Sequence, residues 1–186
     1  MSKTTFNKLS SALSALVVAV LPINAMAVKQ ATPAKPATAA DSTTYKNKTY
    51  GFSFTVPNTW KKQNGEPDSD NVLFMRSPLS NSCSFQFMIT PMPKDFPAEI
   101  SVVSSLKAAE ADIGLGKNLS AKRRDDKGTK GWEIAEKGQK GGHQRIIYQV
   151  YDAQNRLYNF NAAAYTEKFS GCQPDLSKII DSIKFE

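Results

Sequence analysis

The sequence predicts an α+β fold, an antiparallel sheet of about six or seven strands packed with two amphipathic helices. Three observations predict it. Seven stretches alternate apolar and polar residues with the period of a half-buried strand. Two stretches place apolar residues on one face at helical spacing instead. Most connections between strands are short and rich in Gly, Asn or Pro, so neighbours in sequence pair as hairpins.

The first 27 residues stand apart from that pattern. Lys3 and Lys8 give a positive start without an acidic residue, and Leu13 to Leu21 supply a short apolar core ended by Pro22. Ala25-Met26-Ala27 then reads as a cleavage site, so residues 1–27 are expected to be a signal peptide cut after Ala27. The apolar run, about 10 residues, falls well short of the ~20 that cross a bilayer. No Cys lies near the cleavage point to take a lipid, so the expected product is exported, periplasmic and soluble, without a transmembrane segment. Residues 28–44 are rich in Ala, Thr, Pro and Lys and read as a flexible linker, leaving residues 45–186 as one domain.

Within the domain, Tyr50, Phe52, Phe54 and Val56 alternate with smaller residues and define an opening strand stopped at Pro57-Asn58. Trp60 is expected to fold back onto the same core. A polar loop from Asn64 to Asp70 leads to a second strand, Val72 to Arg76. Cys83, Phe85, Phe87 and Ile89 mark a third, stopped by Pro91 and Pro93. The first helix follows: Asp95 is placed to cap it, and Pro97 suits its first turn. Val102, Leu106, Ala109 and Ile113 share one face, with Val103 beside them, and Gly114 and Gly116 end the helix. Four strands then form a meander, Leu119 to Arg124, Trp132 to Lys137, Arg145 to Asp152 and Leu157 to Tyr165. Asn155 suits the left-handed position of the last turn. The second helix is expected to start at Pro174, with Asp175 near its positive end and Leu176, Ile179, Ile180 and Ile183 as its apolar stripe.

Cys83 and Cys172 are the two cysteines of the chain, and in an exported protein such a pair reads as one disulfide. They are not spaced as C-x-x-C and lack a neighbouring His or third Cys, which argues against a metal or redox pair.

The order of elements resembles the Mog1/PsbP-like superfamily, in particular its bacterial exported members of the PsbP and DcrB kind. The opening Tyr50-Gly51-Phe52-Ser53-Phe54-Thr55-Val56-Pro57-Asn58-Thr59-Trp60 is similar to that group's aromatic first strand running into a Pro and a Trp. The ending Ile179-Ile180-Asp181-Ser182-Ile183-Lys184-Phe185 is similar to its terminal helix with a Ser-hydrophobic-x-Phe close. The resemblance implies an α/β sandwich and a protein that binds other proteins without catalysis. It carries over no binding residue, because both ends are packing motifs.

Charge and chemistry narrow the function further. The chain carries a formal +7, of which the leader's two lysines supply two, so the remainder is mildly basic and unlike a nucleic-acid binder. Residues 117–140 hold nearly all of that excess: Lys117, Lys122, Arg123, Arg124, Lys127, Lys130, Lys137 and Lys140 against Asp125, Asp126, Glu133 and Glu136. A hairpin tip presenting Lys122, Arg123, Arg124, Lys127 and Lys130 is therefore the candidate contact surface for an acidic protein or an anionic envelope component. The interleaved acids equally suit a hairpin kept soluble by mixed charge. The aromatics Tyr148, Tyr151, Tyr158, Phe160 and Tyr165 have mixed parity, so some face outward, as a protein-binding surface would have them.

Catalytic and cofactor chemistry finds no motif. His143, the one histidine, follows Gly141-Gly142 and is expected on an exposed turn. Gly114-Leu115-Gly116-Lys117 follows a helix and lacks Ser or Thr after Lys117, which makes it a helix stop and not a phosphate loop. Glu66, Asp68 and Asp70 lack the other ligands of a calcium loop. No catalytic residue, metal or cofactor is expected. An immunity or inhibitor protein acting on an envelope-targeted effector is the alternative binding role, and a small hydrolase built on His143 is the alternative from another class.

Overall fold

The computed structural model describes residues 42–66, 68–76 and 83–186. The expected leader, its expected cleavage site at Ala27 and the expected linker up to residue 41 lie outside the described residues. Two antiparallel sheets face each other, with one helix packed beside the smaller sheet and the other on the far side of the larger.

The smaller sheet has the order β1-β2-β10, formed by Ser42–Asn47, Phe52–Pro57 and Lys184–Phe185. Strand β1 begins inside the stretch that composition reads as linker. Its polar outer residues hide the strand signal, while Tyr45 lies opposite Phe54 and stacks on it at 5.0 Å. In β2, Phe52, Phe54 and Val56 are buried, as their alternation predicts. Tyr50 falls in the preceding turn, where Gly51 takes φ +64°. After β2, Trp60 donates its N–H to Pro57 O at 2.9 Å, and this turn delivers the indole to the core.

The larger sheet has the order β3-β4-β5-β9-β8-β7-β6. Its strands are Lys61–Asn64, Asn71–Met75, Cys83–Pro91, Asn118–Arg123, Thr129–Glu136, His143–Asp152 and Arg156–Tyr165, taken from β3 to β9. Strand β3 carries four exposed residues, so no burial periodicity announces it. The predicted strand count for one sheet holds, but the opening strand leaves that sheet for the second one and β3 takes its place at the edge.

The core lies between the sheets. Phe52 meets Phe87 at 5.1 Å and Phe160 at 5.3 Å, and Phe54 meets Phe85 at 4.9 Å. Each such buried ring contributes about 1.5–3 kcal/mol of transfer free energy. Helix α2, Phe169–Asp181, seals the same core with Leu176, Ile179 and Ile180, followed by Ile183. It starts five residues before Pro174, which therefore lies inside the helix. Buried Phe169 and the Cys83–Cys172 disulfide, with Cα atoms 5.7 Å apart, anchor the turn that precedes the proline. Asp175 consequently sits past the first turn and instead accepts Trp60 Nε1 at 3.4 Å.

Helix α1, Ala98–Gly114, packs on the opposite face of the larger sheet. Its small residues Ala108 and Ala109 line a cavity together with Ile134, Ile147 and Gln149, whereas Ile146, Tyr148 and Val150 belong to the main core. The two helices thus cover different faces of the larger sheet. Ile113, expected on the buried face, is exposed. Asp95 does not cap α1; Pro97 holds the N-cap position, and Asn155 from the β8–β9 turn accepts Ala98 N at 2.6 Å. Asn155 has φ +60°, the left-handed turn position its residue type predicts. The helix stops as expected at Gly116, φ +69°, with Lys117 N bonded to Asp112 O at 2.8 Å.

Candidate functional site

The basic hairpin joins β6 to β7, and its five cations meet different fates. Lys122 Nζ lies 2.9 Å from Glu133, and Arg124 Nη1 reaches the same carboxylate at 3.1 Å. Arg123 pairs with Asp125 at 2.8 Å, which holds the Asp125 carboxyl below its ordinary range. The Arg124 guanidinium lies 4.2 Å over the Tyr148 ring and donates Nη2 to Ile183 O at 3.3 Å. Arg124 is therefore a packing residue that ties the hairpin to the α2–β10 connection. Burial pushes the Tyr148 hydroxyl up to about 12, against the opposing pull of Arg124. Lys127 and Lys130 remain exposed, with no salt bridge among the described residues.

Lys127 opens onto a cleft of about 270 Å³ that three turns build together. The β1–β2 turn supplies Lys48 to Gly51, the β6–β7 turn supplies Lys127 to Thr129, and the β8–β9 turn supplies Asp152 and Gln154. Arg156 and Tyr158 of β9 form the wall. Asp152 has a side chain only 5% exposed and accepts Tyr158 Oη at 2.8 Å and Arg156 Nε at 2.6 Å. Its burial disfavours charge, but these bonds outweigh that and hold the carboxyl below the ordinary range. Tyr158 is pushed far up by burial and by donating to that carboxylate. The Arg156 guanidinium is fixed between Tyr50 and Tyr158, 5.7 and 5.6 Å from their centroids, and also bonds Gln154 at 3.2 Å.

This arrangement can present two lysines, Lys48 and Lys127, to an anionic group, beside a guanidinium whose charge Asp152 already compensates. Sequence reasoning finds Lys127 but misses Lys48, Asp152 and Arg156. The available signal is Asp152-x-x-x-Arg156-x-Tyr158 across the Asn155 turn, which brackets a tight hairpin with a charge pair.

The remaining candidates lie elsewhere. His143 begins β8, is exposed, and stacks on Tyr165 at 4.5 Å. Asp68 accepts Lys48 N and so braces a turn. Ser104 is exposed on α1. Among the described residues, no cluster of three His, Cys, Asp or Glu side chains is placed to hold a metal.

The sequence matches the PsbP family profile over residues 40–185, the whole of both sheets and both helices. The chain belongs to the PsbP family. Its structure is similar to the solution structure of cyanobacterial PsbP (CyanoP) from Synechocystis sp. PCC 6803, with TM-score 0.53 and 15% identity, covering 82% of this chain and 96% of that one. It is also similar to LpqN, described as involved in cell envelope biogenesis of Mycobacterium tuberculosis. There the TM-score is 0.50 at 10% identity, covering 77% of this chain and 89% of that one. At such identities the likeness is one of fold. No curated protein matches the sequence. The PsbP-like architecture expected from the two end motifs is thereby established.

Proposed function

We propose that this PsbP-family chain is an exported, periplasmic binding protein without catalytic activity, whose ligand is an anionic group on a protein or another envelope component. Lys127 and Lys130 carry the reading: two exposed lysines without salt bridges among the described residues stand at a hairpin whose neighbouring cleft also holds Lys48. The Cys83–Cys172 disulfide suits an oxidising compartment, in keeping with the leader-like first 27 residues. The contact surface is narrower than the sequence suggests, since Lys122, Arg123 and Arg124 spend their charge within the hairpin. The hydrolase alternative required His143 in a cleft, and an exposed ring stacked on Tyr165 gives it no support.

Reversing both free lysines tests the proposal. Lys127→Glu with Lys130→Glu should abolish capture of the partner from an envelope fraction while leaving the melting temperature nearly unchanged. Full capture by that variant would remove this surface from the account.

A further inference from the structure

Among the described residues, four of the seven exposed large hydrophobics, Ile113, Leu115, Leu119 and Tyr165, lie toward the end of the strands opposite the Lys127 cleft. Leu115 and Leu119 are 69% and 57% exposed, and they flank the turn that leads from α1 into the edge strand β6. Leu119 sits where the β6–β7 register shifts, a bulge that leaves its side chain outside the ladder. Single exposed leucines need no explanation, but a cluster at one turn does.

Lysines surround this apolar tip. Lys137 N donates to Lys117 O at 3.1 Å, which brings the β7–β8 loop alongside the turn. That loop is held in place, since Gly141 N donates to Glu167 at 2.8 Å and a Cβ at Gly138 would meet Thr166 Oγ1 at 2.2 Å. Lys140 is carried on it, exposed like Lys137. Of the three, Lys117 alone has a salt bridge, to Asp112 at 3.5 Å and well exposed.

We infer that the α1–β6 turn, with Leu115 and Leu119 at its tip and Lys117, Lys137 and Lys140 around it, docks on an anionic membrane surface. Shallow insertion of apolar side chains combined with lysines at the headgroup level is the two-signal arrangement that holds a protein on such a surface. Tyr165, stacked on His143 at the same end, supplies a ring suited to the interfacial layer. Asp112 answers Lys117 and Arg145 answers Glu136, so Lys137 and Lys140 decide the choice of occupant: a purely apolar partner would leave these two uncompensated. This goes beyond the proposed binding at Lys127, which concerns the other end of the strands, and either can fail without the other.

Site-specific fluorescence tests it in the full chain, where the leader region could itself touch lipid. Leu115→Trp places a reporter at the tip, and Phe96→Trp places one at the opposite end of α1, at a residue also exposed. With vesicles of phosphatidylcholine and brominated phosphatidylglycerol, the added emission of L115W should shift to the blue and be quenched, and that of F96W should not. Replacing Lys117, Lys137 and Lys140 together by Gln should weaken vesicle binding by about tenfold or more, since each lysine near an anionic surface contributes roughly fivefold. Absence of quenching in L115W, equal quenching in F96W, or equal quenching of L115W by vesicles of brominated phosphatidylcholine alone would overturn the inference. Self-association lost on Leu115→Gln, without lipid quenching, would assign the patch to a second copy of the chain and overturn it as well.

Discussion

Ser182 Oγ accepts the backbone N–H of Thr55 at 2.8 Å and donates to Ile179 O at 2.7 Å. Strand β10 pairs with β2 only at Phe52 and Ser53, so the hydroxyl just past α2 satisfies the next amide along that edge. This gives the Ser-hydrophobic-x-Phe ending a physical reason: the serine extends the ladder and Phe185 returns to the core. Ser182→Ala should cost about 1–2 kcal/mol in urea unfolding and raise amide exchange at Thr55. Unchanged exchange there would show that water replaces the bond at no cost.

Asn155 combines two jobs that its variants can separate. It adopts φ +60°, accepts Ala98 N, and donates Nδ2 to the carbonyls of Met92 and Pro93 at 3.1 and 2.9 Å. Asn155→Gly keeps the backbone conformation and loses the cap, for about 1 kcal/mol. Asn155→Ala should lose about 1 kcal/mol more, because its Cβ resists the left-handed region. Equal stability of the two variants would contradict this division.

Asp152 makes stability depend on acid in a defined direction. Its folded carboxyl lies below the ordinary range, so its contribution is complete above the unfolded value of about 3.9. The contribution is lost as pH falls through the depressed folded value. Asp152→Asn should therefore unfold in urea with about 1–3 kcal/mol less stability than wild type at pH 7, with the gap shrinking toward pH 2. A gap independent of pH would refute the assignment.

The disulfide closes a long loop, Cys83 and Cys172 lying 89 positions apart in sequence. Chain entropy gives it at most about 4–5 kcal/mol. Replacing both cysteines by Ala should lower the urea midpoint markedly, while reductant should no longer affect the variant. An unchanged midpoint would mean that packing of Phe169 and Leu176 holds α2 unaided.

The parts legible in the sequence are those whose periodicity reflects burial. Phe52, Phe54, Phe85 and Phe87 alternate and are fully enclosed, and Leu176, Ile179 and Ile180 form the stripe that covers them. Strands β1 and β3 were not legible, because an edge strand with exposed polar residues is held by backbone pairing that side chains do not announce. The start of α2 was hidden for a related reason. Pro174 looks like a helix opening, and only the covalent tie at Cys172 and the burial of Phe169 explain the earlier turn. At the candidate site, local charge counting located Lys127 and Lys130. It could not show that Glu133 absorbs Lys122 and Arg124, nor that three turns distant in sequence meet around Arg156.

Intact mass of the non-reduced protein, recovered by fractionating the cell, bears most directly on export to an oxidising compartment. The account predicts a periplasmic species comprising residues 28–186, lighter by two hydrogens than the dithiol form. An unprocessed chain with two free thiols in the cytoplasmic fraction would contradict it.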